Sequence, residues 1–418
     1  MVEHVTENHG VGGSIPPLGT IPARNQSGGL TSTGIPSDRE RPHPFSILDL
    51  PTPALILSLP RLEANAARMR EKVRALGVTL RPHVKTSKSI EVLRVLAGDR
   101  DVPITVSTLA EARYFFAHGV RDILYAVGIA PVKLPQVADL LAAGCTLRVI
   151  LDSIDAAEAV RQFGEAQGLT IEVLIEIDSD GHRAGVASDD PQLLEIGSRL
   201  RGPGARLAGV MTHAGASYSC RERSEFEAMA ERERALTVEA AERLRANGFD
   251  CSIVSVGSTP TIHYARSLAG ANEARVGVYA FGDLVQAELG TCSLDDIAVG
   301  VLASVIGHKP GRVLIDAGFL ALSRDRGTAD MPLDWGHGAV ADPVTCELID
   351  DLLVSHTNQE HGIITARSGE LDVRRLPVGS RVQILPNHSC ATAAAHERYH
   401  VTDGSGRILA VWDRANGW

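Results

Sequence analysis

Residues 146–185 read TLRVILDSIDAAEAVRQFGEAQGLTIEVLIEIDSDGHRAG, and this stretch carries the repeating unit of the chain. Segments 147–151 and 171–177 are short, nearly continuous apolar runs, the pattern of strands buried on both faces. Between them, 156–167 has the spacing of an amphipathic helix. The second run gives way at once to a polar, glycine-containing loop, Asp178-Ser179-Asp180-Gly181-His182-Arg183-Ala184-Gly185. Strand, helix, strand and polar loop together describe one βαβ unit.

The same rhythm extends in both directions. Strands are expected at 78–84, 104–106, 123–127, 207–211, 253–256 and 274–278, and further helices at 108–118, 134–143 and 224–247. Eight apolar strands separated by helices predict a (β/α)8 TIM-type barrel. A doubly wound open sheet shares the alternation, but the strand count favours the barrel. Upstream, 53–57 reads as a buried strand, and Ser58 with Pro60 starts a helix that buries Leu62, Ala66, Met69, Val73 and Leu76 before Gly77 stops it. After about Gly282 the texture changes to short β-rich segments at 297–306, 312–316, 352–356, 362–366, 381–385 and 408–412. The predicted organisation is a disordered tail at 1–44, a barrel at 45–282 and a mostly β C-terminal domain at 283–418. The first strand (53–57) is free to pair with the β domain.

Composition narrows the function. The chain has 418 residues, 44% of them hydrophobic and 22% charged, as expected of a globular protein large enough for two domains. A formal charge of −10 argues against nucleic acid or an anionic membrane as partner. No apolar run reaches the roughly 18–20 residues of a membrane helix. Six cysteines in no paired spacing read as reduced thiols in a cytoplasmic protein. Lysine occurs only at Lys72, Lys85, Lys88, Lys133 and Lys309, which narrows any search for a reactive amine.

Chemistry in such a barrel belongs at the C-terminal ends of its strands. The first ends Arg81-Pro82-His83-Val84-Lys85-Thr86. Lys85 there can serve as a Schiff-base amine or a general base, or it is a surface lysine. Arg183 can donate to a ring nitrogen or a carboxylate, or simply pair with Asp178 or Asp180. His213 follows the sixth strand. Gly257-Ser258-Thr259-Pro260-Thr261, after the seventh, offers backbone N–H groups and hydroxyls that suit a phosphate and also make an ordinary helix cap. Arg275-Val276-Gly277-Val278-Tyr279 closes the series, with Tyr279 a further donor. In the β domain, Asn387-His388-Ser389-Cys390 places His and Cys at i and i+2; on an extended segment they project the same way and can grip one Zn2+ with coordination positions to spare. His396 and His400 follow at helical spacing, but a four-ligand structural site from this set lacks the usual second cysteine.

The ordered set of Thr52-Pro53-Ala54, the Arg81–Thr86 and Asp178–Gly185 segments, Gly257–Thr261, Glu273–Tyr279 and Asn387–Cys390 resembles the D-serine dehydratase/D-threonine aldolase family. These pyridoxal-phosphate enzymes share the alanine-racemase-type barrel. The resemblance implies that Lys85 holds pyridoxal 5′-phosphate and removes the α-proton of a D-amino acid. It further implies that Arg183 reaches the pyridine edge, that His83, His213, Gly257, Ser258, Thr259 and Tyr279 surround the cofactor, and that His388 and Cys390 bind the metal. The His-x-Cys pair is similar to the dehydratase branch, and thiolate softness favours Zn2+. Two positions depart from the family pattern, Ser87 and Asp180. The expected activity is β-elimination from D-serine, and alternatively from D-threonine, to a 2-keto acid and ammonia, by a homodimer. Rival readings are a D-3-hydroxy amino acid aldolase, a D-threo-3-hydroxyaspartate dehydratase and, in another class, a non-catalytic pyridoxal-phosphate carrier.

Overall fold

A computed structural model of the chain describes residues 46–98 and 100–418, so the tail expected at 1–44 lies outside the described residues. Strand β1 (Ala54–Ser58) runs into a helix at Leu59–Ala75 that has proline in its first turn. Ser58 takes the N-cap position, but its side chain makes no capping hydrogen bond. Eight strands then alternate with helices: β2 (Thr79–Pro82), β3 (Ile104–Val106), β4 (Asp122–Gly128), β5 (Thr146–Leu151), β6 (Ile171–Ile177), β7 (Ala205–Thr212), β8 (Ile253–Val256) and β9 (Glu273–Val276).

These eight form one parallel sheet in the order β2-β9-β8-β7-β6-β5-β4-β3. Its two ends meet through a single bridge between His83 and Thr105, where the Val84 N–H donates to the Thr105 carbonyl at 2.9 Å. The sheet is therefore a barrel, nearly closed, and not an open doubly wound sheet. Alternation along the strands sorts the side chains. Ile123, Tyr125, Val149, Leu151, Val173 and Ile175 pack outward in one cluster with helix residues such as Phe115, Val137 and Val160. Leu124, Ile150, Leu174 and Ala208 form a separate cluster. Two residues earlier on the same strands stands a chain of paired charges: Asp122 accepts from Arg81 at 2.7 Å and from Arg148 at 2.8 Å, and Glu172 pairs with Arg148 and Arg206. Arg81 also pairs with Glu273 at 2.6 Å. Arg81 and Glu273, the two buried members, are tolerated because each is matched and hydrogen-bonded.

The second layer is built from β10 (Val299–Lys309), β11 (Arg312–Ile315), β12 (Ala339–Ala341), β13 (Leu348–Thr357), β14 (Gly362–Ala366), β15 (Arg381–Leu385), β16 (Arg398–Thr402) and β17 (Ile408–Asp413). Together with β1 they make a nine-stranded sheet in the order β11-β14-β13-β12-β15-β10-β1-β16-β17. β1 lies between β10, to which it is antiparallel, and β16, to which it is parallel. The chain thus enters through the β layer before it builds the barrel.

Two strands, β12 and β16, were not expected. The second overturns the helical relation read between His396 and His400: His400 lies on β16, where Tyr399 and Val401 are buried with the two-residue period of a strand. Among the described residues no helix is long and apolar enough to cross a membrane.

Candidate active site

The C-terminal ends of the barrel strands open onto a cleft whose far wall is a loop of the β domain. Lys85 stands three residues beyond the end of β2 and lines this cleft. His83, beside it, lies 3.5 Å from the Ser107 hydroxyl. Burial first, then the charges of Lys85 and Arg275, hold the His83 imidazole well below its ordinary range. His213 behaves alike: burial, followed by Lys85, pushes it down to about 4. Its neutral ring donates from Nδ1 to the Gly257 carbonyl at 3.3 Å.

Arg183 lines the same cleft, with its side chain 60% exposed, and pairs with Glu176 at 3.2 Å. The two aspartates expected as its partners are used by the loop itself. Asp178 accepts from the N–H groups of Asp180 and Gly181, and Asp180 accepts from those of His182 and Ala216. Gly185 closes this loop at φ +112°, where an added Cβ would lie 2.4 Å from the Asp178 nitrogen, so only glycine fits.

Gly257, Ser258 and Thr259 also line the cleft. Gly257 has φ +130°, and a Cβ there would meet the Arg275 carbonyl at 2.6 Å. The Ser258 hydroxyl caps the short helix Thr259–Tyr264 by accepting from the Thr261 N–H at 3.2 Å. Thr259 Oγ1 accepts from the Tyr279 N–H at 3.2 Å. Tyr279 departs from expectation. A 3-10 turn at Val278–Ala280 carries its phenol into the core that contains Met69 and Val73, away from the groups lining the cleft.

His388 and Cys390 line the opposite wall. They do not share an extended segment: His388 is the N-cap of helix Ser389–Ala394, and Cys390 sits in its first turn. The turn is enforced by two buried side chains. Asn387 donates to the carbonyls of Gly336 (2.6 Å) and Asp325 (3.1 Å) and accepts from Thr328 (2.7 Å). Asp283 accepts from the Ser389 N–H at 3.0 Å and faces His388 Nδ1 at 3.5 Å. The walls touch where Thr86 Oγ1 lies 3.1 Å from Cys390 Sγ. Burial opposes ionisation of Cys390, yet His388, Lys85 and Thr86 together hold the thiol below its ordinary range. Burial likewise opposes charge on His388, but Cys390 and Asp283 outweigh it and raise the imidazole to about 11. Among the described residues no group of three or more His, Cys, Asp or Glu is arranged to hold a metal, so this wall offers a two-residue grip.

Several residues that matter here escaped the sequence reading. Thr86 links the walls. Arg275, 4% exposed, donates to the Ser255 hydroxyl at 2.7 Å and to the Thr212 carbonyl while lining the cleft floor. Glu233, 1% exposed, accepts from the N–H groups of Ala214 and Gly257. A signal for Glu233 did exist: on the helix Arg223–Ala246 it falls within the buried stripe Phe226, Ala230, Glu233, Thr237, Ala241, Leu244. A carboxylate in an apolar stripe needs a partner.

Residues 57–285 match the family of the alanine racemase N-terminal domain, and residues 298–402 match a serine dehydratase domain family. The chain is 49% identical, over 89% of its own length and 99% of the relative's, to a D-threo-3-hydroxyaspartate dehydratase of Delftia sp. (strain HT23). The solved structure of that enzyme superposes with a TM-score of 0.87, covering 89% of this chain and 100% of the other, at 48% identity. Its structures include one mutated at a histidine and one at a cysteine two positions further on, the latter described as metal-free. A D-serine dehydratase of Dictyostelium discoideum is 31% identical over 89% of this chain and 98% of the relative. The structure of a D-threonine aldolase from Filomicrobium marinum gives a TM-score of 0.75 at 27% identity, covering 89% of this chain and 97% of the other.

Proposed function

This chain belongs to the D-serine dehydratase/D-threonine aldolase family of fold-type III pyridoxal-phosphate enzymes, and from that premise we propose that it dehydrates D-threo-3-hydroxyaspartate or a near analogue. Its relatives are dehydratases and aldolases of D-hydroxy amino acids, and it is a lyase of that kind. The observation in the structure that carries the lyase reading is the convergence of Lys85 with His388 and Cys390 on one cleft, although 303 positions separate Lys85 from His388 in sequence (388 less 85). The sequence reading led with D-serine. Identity of 49% to a hydroxyaspartate dehydratase, against 31% to a D-serine dehydratase, supports the dicarboxylic substrate.

The residues present fit pyridoxal phosphate. A primary amine, Lys85, faces a cleft lined also by Gly257, Ser258 and Thr259, where Arg183 and Arg275 bring fixed positive charge. His83 and His213 are held neutral, so they can lie against an aromatic ring or donate to it without adding charge. When bound, the cofactor supplies the electron sink for the charge left by α-proton removal. Lys85 would hold it and take that proton. Arg183 would approach the ring edge, and the Gly257–Thr259 turn would face the phosphate. His388 and Cys390 would hold Zn2+, which supplies Lewis acidity for departure of the β-hydroxyl as water. Thiolate and neutral imidazole are the ligand forms, so taking up the cation would release protons from this pair.

The test is a panel of D-threo-3-hydroxyaspartate, D-serine and D-threonine, each with and without chelator. Elimination from hydroxyaspartate releases ammonia and oxaloacetate, and chelator should stop it. Glycine and glyoxylate from the same substrate would mean Cα–Cβ cleavage and would replace dehydration by the aldolase reading.

A further inference from the structure

Glu233 is a buried carboxylate beside the cleft that the chemistry above leaves without a role. It sits on the long helix Arg223–Ala246, outside the barrel ring, and is 1% exposed. A single oxygen, Oε1, accepts the Ala214 N–H at 3.0 Å and the Gly257 N–H at 3.2 Å. Ala214 follows β7 and Gly257 follows β8, so one side chain joins the backbones leaving two adjacent strands. The link is doubled from within, because the Gly257 carbonyl receives His213 Nδ1 at 3.3 Å.

Each group so held faces the cleft. His213 lies directly before Ala214, and Ser258 and Thr259 directly after Gly257; all three line the cleft. The chain leaves Gly257 at φ +130°, where an added Cβ would meet the Arg275 carbonyl at 2.6 Å, so the turn that follows needs glycine. Had the helix a methionine or leucine here, two buried N–H groups would be left without acceptors, and their turns would be free to rotate toward other partners.

We propose that Glu233 is a positioning residue for the cofactor: by accepting both amides it sets, before any ligand binds, the orientation of His213 and of the Gly257–Thr259 turn. The inference rests on the pyridoxal-phosphate reading above and extends it to a residue that does not itself touch the cleft. Because Oε1 alone takes both bonds, glutamine can replace glutamate at this position, whereas methionine, of similar size, cannot.

The first measurement needs no variant. In the cofactor-free wild-type protein, backbone amide exchange at Ala214 and Gly257 should be slow; exchange at unprotected rates would overturn the proposal. The second is titration of cofactor-free protein with pyridoxal 5′-phosphate, read by visible absorbance and circular dichroism. Glu233→Met should weaken binding by at least about tenfold and change the dichroism of what binds, while Glu233→Gln stays within about threefold of wild type. Wild-type affinity in Glu233→Met, or equal impairment in Glu233→Gln, would overturn the role. Should Glu233→Met fail to fold, amide exchange in the wild type remains decisive. Should the wild type bind no pyridoxal phosphate, the enzyme reading falls, while the exchange data still decide whether Glu233 holds the two backbones.

Discussion

On the barrel side of the cleft, Lys85, Arg183, His213 and Gly257 stand beyond the ends of four different strands of one ring. On the β-domain side, His388 and Cys390 share a single loop. The barrel wall is fixed many times over, by strand pairing, by the paired charges from Arg81 to Arg206, and by the helix carboxylate Glu233. The loop is fixed by two side chains, Asn387 and Asp283. A wall assembled from many strands places separate groups around a large ligand, whereas a wall made of one tight turn places two groups beside one atom. The first suits a cofactor and the second a cation.

The sharpest way to break this division is Lys85→Ala on the barrel wall. Loss of a general base alone removes about 10²–10⁴-fold in rate, and in the proposed function the same amine would also anchor the cofactor. Turnover should fall at least that far, and the visible absorbance of the bound cofactor should vanish from the purified protein. Retained absorbance with retained turnover would place the reactive amine elsewhere. Cys390→Ala should divide the two walls cleanly. Its absorbance should remain, because the barrel wall is intact. Bound zinc and turnover should fall by more than the roughly 10–100-fold typical of losing an outer-shell partner, because in the proposed function Cys390 would be a direct ligand. Unimpaired activity in this variant would remove the metal role from the loop.

The two walls also differ in how openly the sequence declares them. Barrel strands are continuous apolar runs, and runs such as 171–177 and 253–256 coincide with β6 and β8. Inference was weaker where direction depends on a turn. The resemblance places Tyr279 around the cofactor; here it lies on the 3-10 turn Val278–Ala280 and is buried within the core cluster that also holds Met69 and Val73, not among the groups lining the cleft. The surface alternative for Arg183, a pair with Asp178 or Asp180, does not form: both carboxylates accept from backbone N–H groups, and Arg183 pairs with Glu176 instead. On the β side the His-x-Cys word was legible, but not the helix start that shapes it. Asp283, which enforces that start, lies about a hundred positions away and gives no local sign. Strand β12, of three residues, is too short to show periodicity. β16 was obscured because two histidines four apart imitate a helix face.

Removing the cation should have the smallest effect on stability, and it sharpens the comparison most. A zinc ion that builds a fold contributes ~10–16 kcal/mol in zinc-finger peptides, and chelation then unfolds the domain. Here the turn around His388 is made by protein groups alone: Asn387, 2% exposed, satisfies two carbonyls and one hydroxyl, and Asp283 holds the Ser389 amide. The sheet behind it, with β15 and β12 paired in register, owes nothing to the two ligands. Chelation should therefore abolish dehydration while lowering the melting temperature by less than about 3 °C; roughly 1 kcal/mol shifts a domain of about 150–250 residues by about 2–4 °C, and a longer chain by less. A drop of ten degrees or more on chelation would make the cation a structural part of the β domain. The two walls would then differ in sequence origin but not in what they do, and the assignment of the loop to catalysis would have to rest on Cys390→Ala alone.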